Sequence, residues 1–460
     1  MASWRMCPRR SERPQSRVRP PREADVEALV SLLGAEELRS IVVDAAAQHE
    51  DVARGVRLRS GRAGGDLTAL RAEIDQGLRT CRFLGYRESS DWAREAEPIV
   101  SEIRDWARTA PSLGLLELIE RAAGHVVKVM LHADDSDGTI GDLARDLLEL
   151  HAQVCDEVVV DPMKLAKWML CFSLDDQDFF ELDPVRYAGA LGEFGLAAYR
   201  REVRQRLDSG DDSFGVGYAQ ERLAVLDRDV SEIVRLLGGD LRNPYQFIRV
   251  AEAMEELGRD EDVVAWARRG IAETTGWQVA RLYDLACEAY ARKDATDEII
   301  ALRRDEHLRM PSPSTYGLLR DATEACGSWG SERELARAAL DPAGLVDVLL
   351  ADGEPGAAWD VAVGTPEWEP REQQWALLAE AREAAHPADA LAVYLSLAEG
   401  ELGHADRGAY TRAASLLKRA RRAAENADEQ VAFSAHMADL RERHRRRPAL
   451  IQILDKAGLV

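Results

Sequence analysis

Apolar residues recur along most of this chain at steps of three and four, the spacing that gathers one face of an α-helix. From residue 244 the stripes come in pairs. PYQFIRVAEAMEELGRDEDVVAWARRGI (244–271) and VARLYDLACEAYARKDATDEIIALRRDEHL (279–308) each carry two stripes separated by a short polar break. One such pair cannot bury its apolar face alone, so successive pairs must stack. Aligning the small inward position of each second helix gives Val263, Ile299, a poor match near Glu332, Ala358, Ala390 and a last one near Val431. Their separations scatter around the ~34-residue period of tetratricopeptide units. Ala251, Ala267 and Gly270 are small enough to let the first pair approach closely.

Upstream the pattern is also helical but less regular. Short stripes at 24–36 and 36–48 are followed by longer ones at about 66–81, 90–109, 113–131, 139–156 and 161–173. Pro98 lies inside the second of the longer stripes and is expected to kink or split it. Gly64-Gly65, Pro111 and Pro162 mark short connections of the kind that join antiparallel neighbours. Val158, Val159 and Val160 form the best strand candidate. The pattern predicts an all-α fold: an α-solenoid of antiparallel helix pairs, tetratricopeptide-like in its C-terminal half. Three regions follow: a disordered basic lead-in (1–23), a divergent N-terminal helical domain (24–207) and a helical-repeat domain (214–460). The linker-like Asp208-Ser209-Gly210-Asp211-Asp212-Ser213 separates the last two.

Composition agrees with a folded helical chain, with 46% hydrophobic and 31% charged residues over 460 positions. The net charge of −22 makes a poor surface for tracking a nucleic-acid backbone. Two basic segments stand apart. One is residues 1–22 of the lead-in, with seven arginines against Glu12; the other is the tail Arg441–Arg447. The six cysteines show no C-x-x-C spacing and follow no secretory signal, which reads as reduced thiols in a cytoplasmic protein. No apolar stretch reaches the ~18 residues of a membrane span.

The chemistry-bearing motifs are weak. Asp134, Asp135 and Asp137 precede Gly138 as in a cation loop, but Ala133 and Ala144 occupy the first and twelfth EF-hand positions, where carboxylates are needed. A helix start at 140, capped by Asp137 or Thr139, accounts for the same residues. Asp175, Asp176, Asp178 and Glu181 read as a solvated acidic loop anchored by Phe179 and Phe180. Cys326-Gly327-Ser328-Trp329 reads as a loop with a packed Trp, not a nucleophile segment. His125 and His132 lack a third ligand, and Ser60–Gly65 lacks the Lys and Ser/Thr of a phosphate loop. No catalytic residue, metal site or cofactor motif emerges. The candidate partner-binding residues are Asp134, Asp135, Asp137, Arg443, Arg445, Arg446 and Arg447.

Several stretches carry a family resemblance: 134–155, 186–200, 243–271, 386–399 and ADLRERHRRRPALIQILDKAGL at 438–459. Through them the chain resembles the helical C-terminal region of bacterial SWIM zinc-finger family proteins. The C-x-C and C-x-H pairs that hold zinc in that family are absent, so no zinc site carries over. The resemblance implies a tetratricopeptide-like array of unestablished activity. The expectation is a non-enzymatic scaffold whose concave face binds a protein or peptide partner, with no membrane contact. The alternative is a nucleic-acid-associated accessory protein that uses the basic arm and the Arg-rich tail.

Overall fold

A computed structural model of the chain describes residues 29–459. The expected lead-in, 1–23, lies outside the described residues. The chain divides into two compact units, one ending at Asp229 and the other beginning at Val230.

The first unit contains α1 (Ala35–Gln48), α2 (Glu50–Gly64), α3 (Thr68–Gly77), α4 (Tyr86–Thr109), α5 (Leu113–Met130), α6 (Thr139–Glu157), α7 (Pro162–Cys171), α8 (Ala188–Asp208) and α9 (Phe214–Leu226). One continuous core runs from Leu58 to Ala219. At its centre α5 buries Leu115, Ile119, Ala122 and Val126 on a single stripe. Ser112 starts that helix by accepting the Leu115 N–H at 3.2 Å. The expected break at Pro98 does not occur, and α4 runs through it. Pro98 and Arg94, whose carbonyl it leaves without a donor, are both exposed, so water can replace the lost bond. Val158–Val160 is an extended connection. Among the described residues the sole β-type pairing is a bridge between Leu84 and Ala133. α1 carries the apolar residues expected at 36–48 yet buries none of them: Ile41 and Val42 are exposed. The linker-like 208–213 is a tight turn inside this unit. α9, which follows it, packs back on α8 and adds Ala219 to the core, so the division falls later in the chain.

The second unit contains α10 (Val230–Gly238), then α11 (Pro244–Glu256) with α12 (Asp260–Glu273), α13 (Val279–Ala291) with α14 (Thr296–Arg309), α15 (Pro313–Glu324) with α16 (Trp329–Ala339), α17 (Pro342–Ala351) with α18 (Pro355–Gly364), and α19 (Glu372–Arg382) with α20 (Pro387–Leu402). α21 (Arg407–Asn426), α22 (Gln430–Arg443) and α23 (Pro448–Lys456) close the unit. Three first helices open on a cap followed by proline: Asn243-Pro244, Ser312-Pro313 and Asp341-Pro342. The first four pairs turn through one left-handed residue: Gly258 (φ 70°), Asp294 (φ 55°), Gly327 (φ 75°) and Gly353 (φ 76°). In each, the N–H after that residue reaches back to a carbonyl of the first helix: Arg259 to Met254, Ala295 to Tyr290, Ser328 to Thr323 and Glu354 to Leu349, at 2.8–3.1 Å.

The core of this unit differs from that of the first. It is serial from α15 onward. Tyr316, Leu319, Ala336 and Val348 form one cluster. Val346, Leu349, Ala358, Ala362 and Leu378 form the next, and Ala379, Ala390 and Tyr394 begin the last. α17 feeds the first two through Val348 and Val346; α19 feeds the second and third through Leu378 and Ala379. A helix that serves two neighbouring cores defines a stacked array. The fold is therefore all-α, with antiparallel helix pairs stacked as a solenoid in the second unit. Gly270 marks the close approach of the first pair, since a Cβ there would fall 2.7 Å from Phe247 Cβ. The aligned inward positions hold at Val263, Ala358 and Ala390, which are fully buried. They slip elsewhere: Ile300 is buried in place of Ile299, Ala336 in place of Glu332 and Phe433 in place of Val431, which is 86% exposed.

Candidate functional site

The aspartates before α6 are occupied within the chain. Gly138 adopts φ 75°, and the helix start it opens is capped by two carboxylates: the expected Asp137, which accepts the Thr139 N–H at 3.3 Å, and Asp135, which the sequence did not single out as a cap. Asp135 accepts the N–H groups of Ile140 at 2.9 Å and Gly141 at 2.8 Å. Asp137 accepts the Ser90 hydroxyl of α4 at 2.5 Å, and that bond holds its carboxyl below the usual carboxylate range. Asp134 accepts the Ser136 hydroxyl. Asp135 and Asp137 thus share the start of α6, Asp137 also ties it to α4, and Asp134 bonds within the loop. Among the described residues no group of three or more His, Cys, Asp or Glu side chains converges as a metal site.

The C-terminal arginines are also largely engaged. Arg443 reaches Glu399 on α20 at 2.5 Å and Asp439 at 2.8 Å. Arg447 donates to the Leu402 carbonyl at 2.7 Å, and Arg445 pairs with Glu442. Arg446 is exposed. Arg443 and Arg447 fasten α22 and the turn after it to α20, at a helix end where positive charge is favoured.

Buried polar groups in the second unit mark the joints between pairs. Arg337 of α16 lies 2.7 Å from Asp352 and 2.8 Å from Glu354, beyond α17, while Tyr316 of α15 donates to Asp352 at 2.6 Å. Burial pushes the Tyr316 phenol up to about 12. His307 of α14 lies 2.8 Å from the Ala336 carbonyl and 2.9 Å from Thr315 Oγ1, touching both helices of the next pair. Gln374 of α19 donates to the Ala343 carbonyl and to Asp347 of α17 at 2.9 and 2.8 Å. Burial raises the thiols as well, Cys155 to about 12 and Cys287 to about 11, so neither is a nucleophile near neutral pH.

A surface groove of about 530 Å³ lies between α7 and α8. Gly195 of α8 sits against the Pro162 carbonyl, close enough that a Cβ would fall 2.8 Å from it. At the other end Arg206 of α8 pairs with Asp175, just past α7, at 2.9 Å. The two helices therefore run side by side in the same direction, unlike the antiparallel neighbours expected here. The chain must return between them. A five-residue π-turn, Phe172–Asp176, begins the return. Gln177, buried, then locks it: its amide donates to the carbonyls of Phe172 and Phe180, and its oxygen accepts the N–H groups of Phe179 and Phe180. The acidic loop of the sequence is thus a folded strap anchored by buried Phe180, while Phe179 stays exposed.

Met163, Ala166, Leu170 and Ala198 form the apolar floor of the groove, and Lys164, Lys167 and Arg201 rise from it. An adjoining recess shares Arg201 and adds Arg200 and Arg204, with one carboxylate, the exposed Asp208, at its end. The carboxylates of the groove, Asp175 and Glu202, both bond Arg206, and Arg200 pairs with Asp227. Lys164, Lys167, Arg201 and Arg204 form no ion pair within the described residues. The sequence holds one signal for this site, the run Arg200-Arg201-Glu202-Val203-Arg204-Gln205-Arg206. It reads as an ordinary amphipathic helix until the fold brings Lys164 and Lys167 beside it.

No family model matches the chain, and no curated protein matches it. Among solved structures the chain is similar to one described as "Circular tandem repeat protein with novel repeat topology and enhanced subunit contact surfaces". The two are 16% identical over 91% of this chain and 96% of that one, with a TM-score of 0.20.

Proposed function

We infer that the chain is a non-enzymatic helical-repeat scaffold that binds a protein or peptide partner in the cytoplasm. The observation that carries this reading is the serial core of the second unit, in which α17 and α19 each serve two neighbouring clusters. Such an array holds a long surface in fixed register without needing a central cavity. The polar side chains at the joints support the same reading, because Arg337, Asp352, His307 and Gln374 bond between helix pairs. Kinship with the helical region of SWIM zinc-finger family proteins belongs to this reading, resting on the stretches at 243–271 and 438–459.

The test is affinity capture of the full chain from its native host, in parallel with and without nuclease treatment, followed by size-exclusion chromatography. The scaffold reading expects a protein that co-elutes at fixed stoichiometry and persists without nucleic acid. Recovery of nucleic acid alone, with salt-sensitive retention on a DNA column, would overturn it in favour of a nucleic-acid accessory role.

A further inference from the structure

We propose that the α7–α8 groove of the first unit is a docking site for an acidic amphipathic helical peptide. The proposal rests on the scaffold reading and names one surface and one partner chemistry for it.

Three observations converge on this occupant. First, the floor is apolar and partly open: Met163 is 48% exposed and Ala198 half-buried over the buried Ala166 and Leu170, and Phe194, one turn before Ala198 on α8, is 77% exposed beside the groove. An aliphatic side chain entering there would leave water. Second, the cations around it are surplus. The chain carries 82 acidic against 60 basic Lys and Arg residues, and most described arginines are paired. Lys164, Lys167, Arg201 and Arg204 are exposed and lack a carboxylate partner. The groove's own acids, Asp175 and Glu202, are held by Arg206. A ligand with carboxylates at its flanks would supply the missing charge. Third, the groove has the shape of a helix site. Its walls are two helices running the same way, and the stretch Met163–Cys171 spans about 12 Å, or roughly two turns of a docked helix. Aliphatic side chains on one face of such a peptide would meet the floor, and Asp or Glu beside them would meet the four cations. The Lys and Arg stems extend the apolar contact while their heads stay wet.

A phosphate-rich polymer would satisfy the charges but not the floor. The two binding modes therefore separate by experiment. The full chain is titrated into a fluorescein-labelled peptide of about four helical turns, with Leu at every third or fourth position and Glu at the flanking ones. Expected is saturable binding by anisotropy, weakened about tenfold by raising salt from 50 to 300 mM. The same peptide with Lys in place of Glu should not bind. The double variant Lys167→Glu, Arg201→Glu should weaken binding by about tenfold or more. Both positions are exposed, so its melting curve should match that of the native chain; Lys164→Gln, Arg204→Gln gives a milder second variant. Binding unaffected by both variants overturns the proposal, as does tighter binding of a short oligothymidylate with the same variant sensitivity. If the peptide fails to bind while the native partner still co-elutes with the Lys167→Glu, Arg201→Glu chain, the groove assignment falls and the scaffold reading stands.

Discussion

His151 is fully enclosed at the centre of the first unit. Its ring stacks on Trp168 at 4.0 Å between centroids, Nδ1 lies 3.0 Å from the Tyr187 hydroxyl, and Nε2 lies 3.5 Å from Glu120. Burial lowers its pKa, and Glu120 opposes that shift without reversing it. The folded protein therefore holds His151 neutral at a pH where the unfolded chain already binds the proton. Stability from this group is fully present above the ordinary histidine value of about 6.5 and is lost as pH falls below it. Urea unfolding between pH 7.5 and 5.5 should show a falling free energy whose slope is smaller in His151→Gln; equal slopes would exclude His151 as the source. The sequence places this residue on a helical stripe but cannot give its partners, because Trp168 and Tyr187 arrive from other segments. The same limit applies to the Asp134–Asp137 cluster. Its residues, the helix start and the Asp137 cap are legible, but the reach of Asp135 to the Ile140 and Gly141 N–H groups depends on the path of the loop through left-handed Gly138.

Among elements, the turn within each early pair is the most repetitive device in the second unit. The left-handed residue at Gly258, Asp294, Gly327 and Gly353 lets the following N–H return to the first helix. A Cβ at Gly258 meets nothing within 4 Å, so only the backbone conformation opposes one. Gly258→Ala should destabilise the protein by about 1 kcal/mol, and Gly258→Asn by less, because asparagine tolerates this region better. Chemical denaturation measures both; equal losses would point to steric crowding instead. Helix existence was legible throughout, since periodicity and cap–proline pairs such as Asn243-Pro244 are local signals. Register was less so. Val431 carries the right spacing yet is exposed, and Phe433, two residues on, is the one buried, in the helix that follows the left-handed Asp428 (φ 59°). The parallel run of α7 and α8 was invisible for a related reason: it depends on the π-turn and on Gln177, neither of which has a periodic signature.

Across the whole molecule, the two units organise their interiors differently. The first gathers its helices around one continuous core from Leu58 to Ala219, which suits a groove whose walls must stay in register. From α15 onward the second strings successive cores along the chain, and the joints from α14 to α19 carry buried polar bonds. In a serial array a local defect should stay local, whereas a single core spreads it. Arg337→Ala provides the direct measurement. It removes the cation that joins α16 to Asp352 and Glu354 beyond α17, and a break in so nearly buried a pair costs about 3 kcal/mol. Amide hydrogen exchange across the chain should then show protection falling in α15–α18, with α20–α23 and the first unit unchanged. A uniform loss of protection from residue 244 to 459 would contradict the stacked-array account.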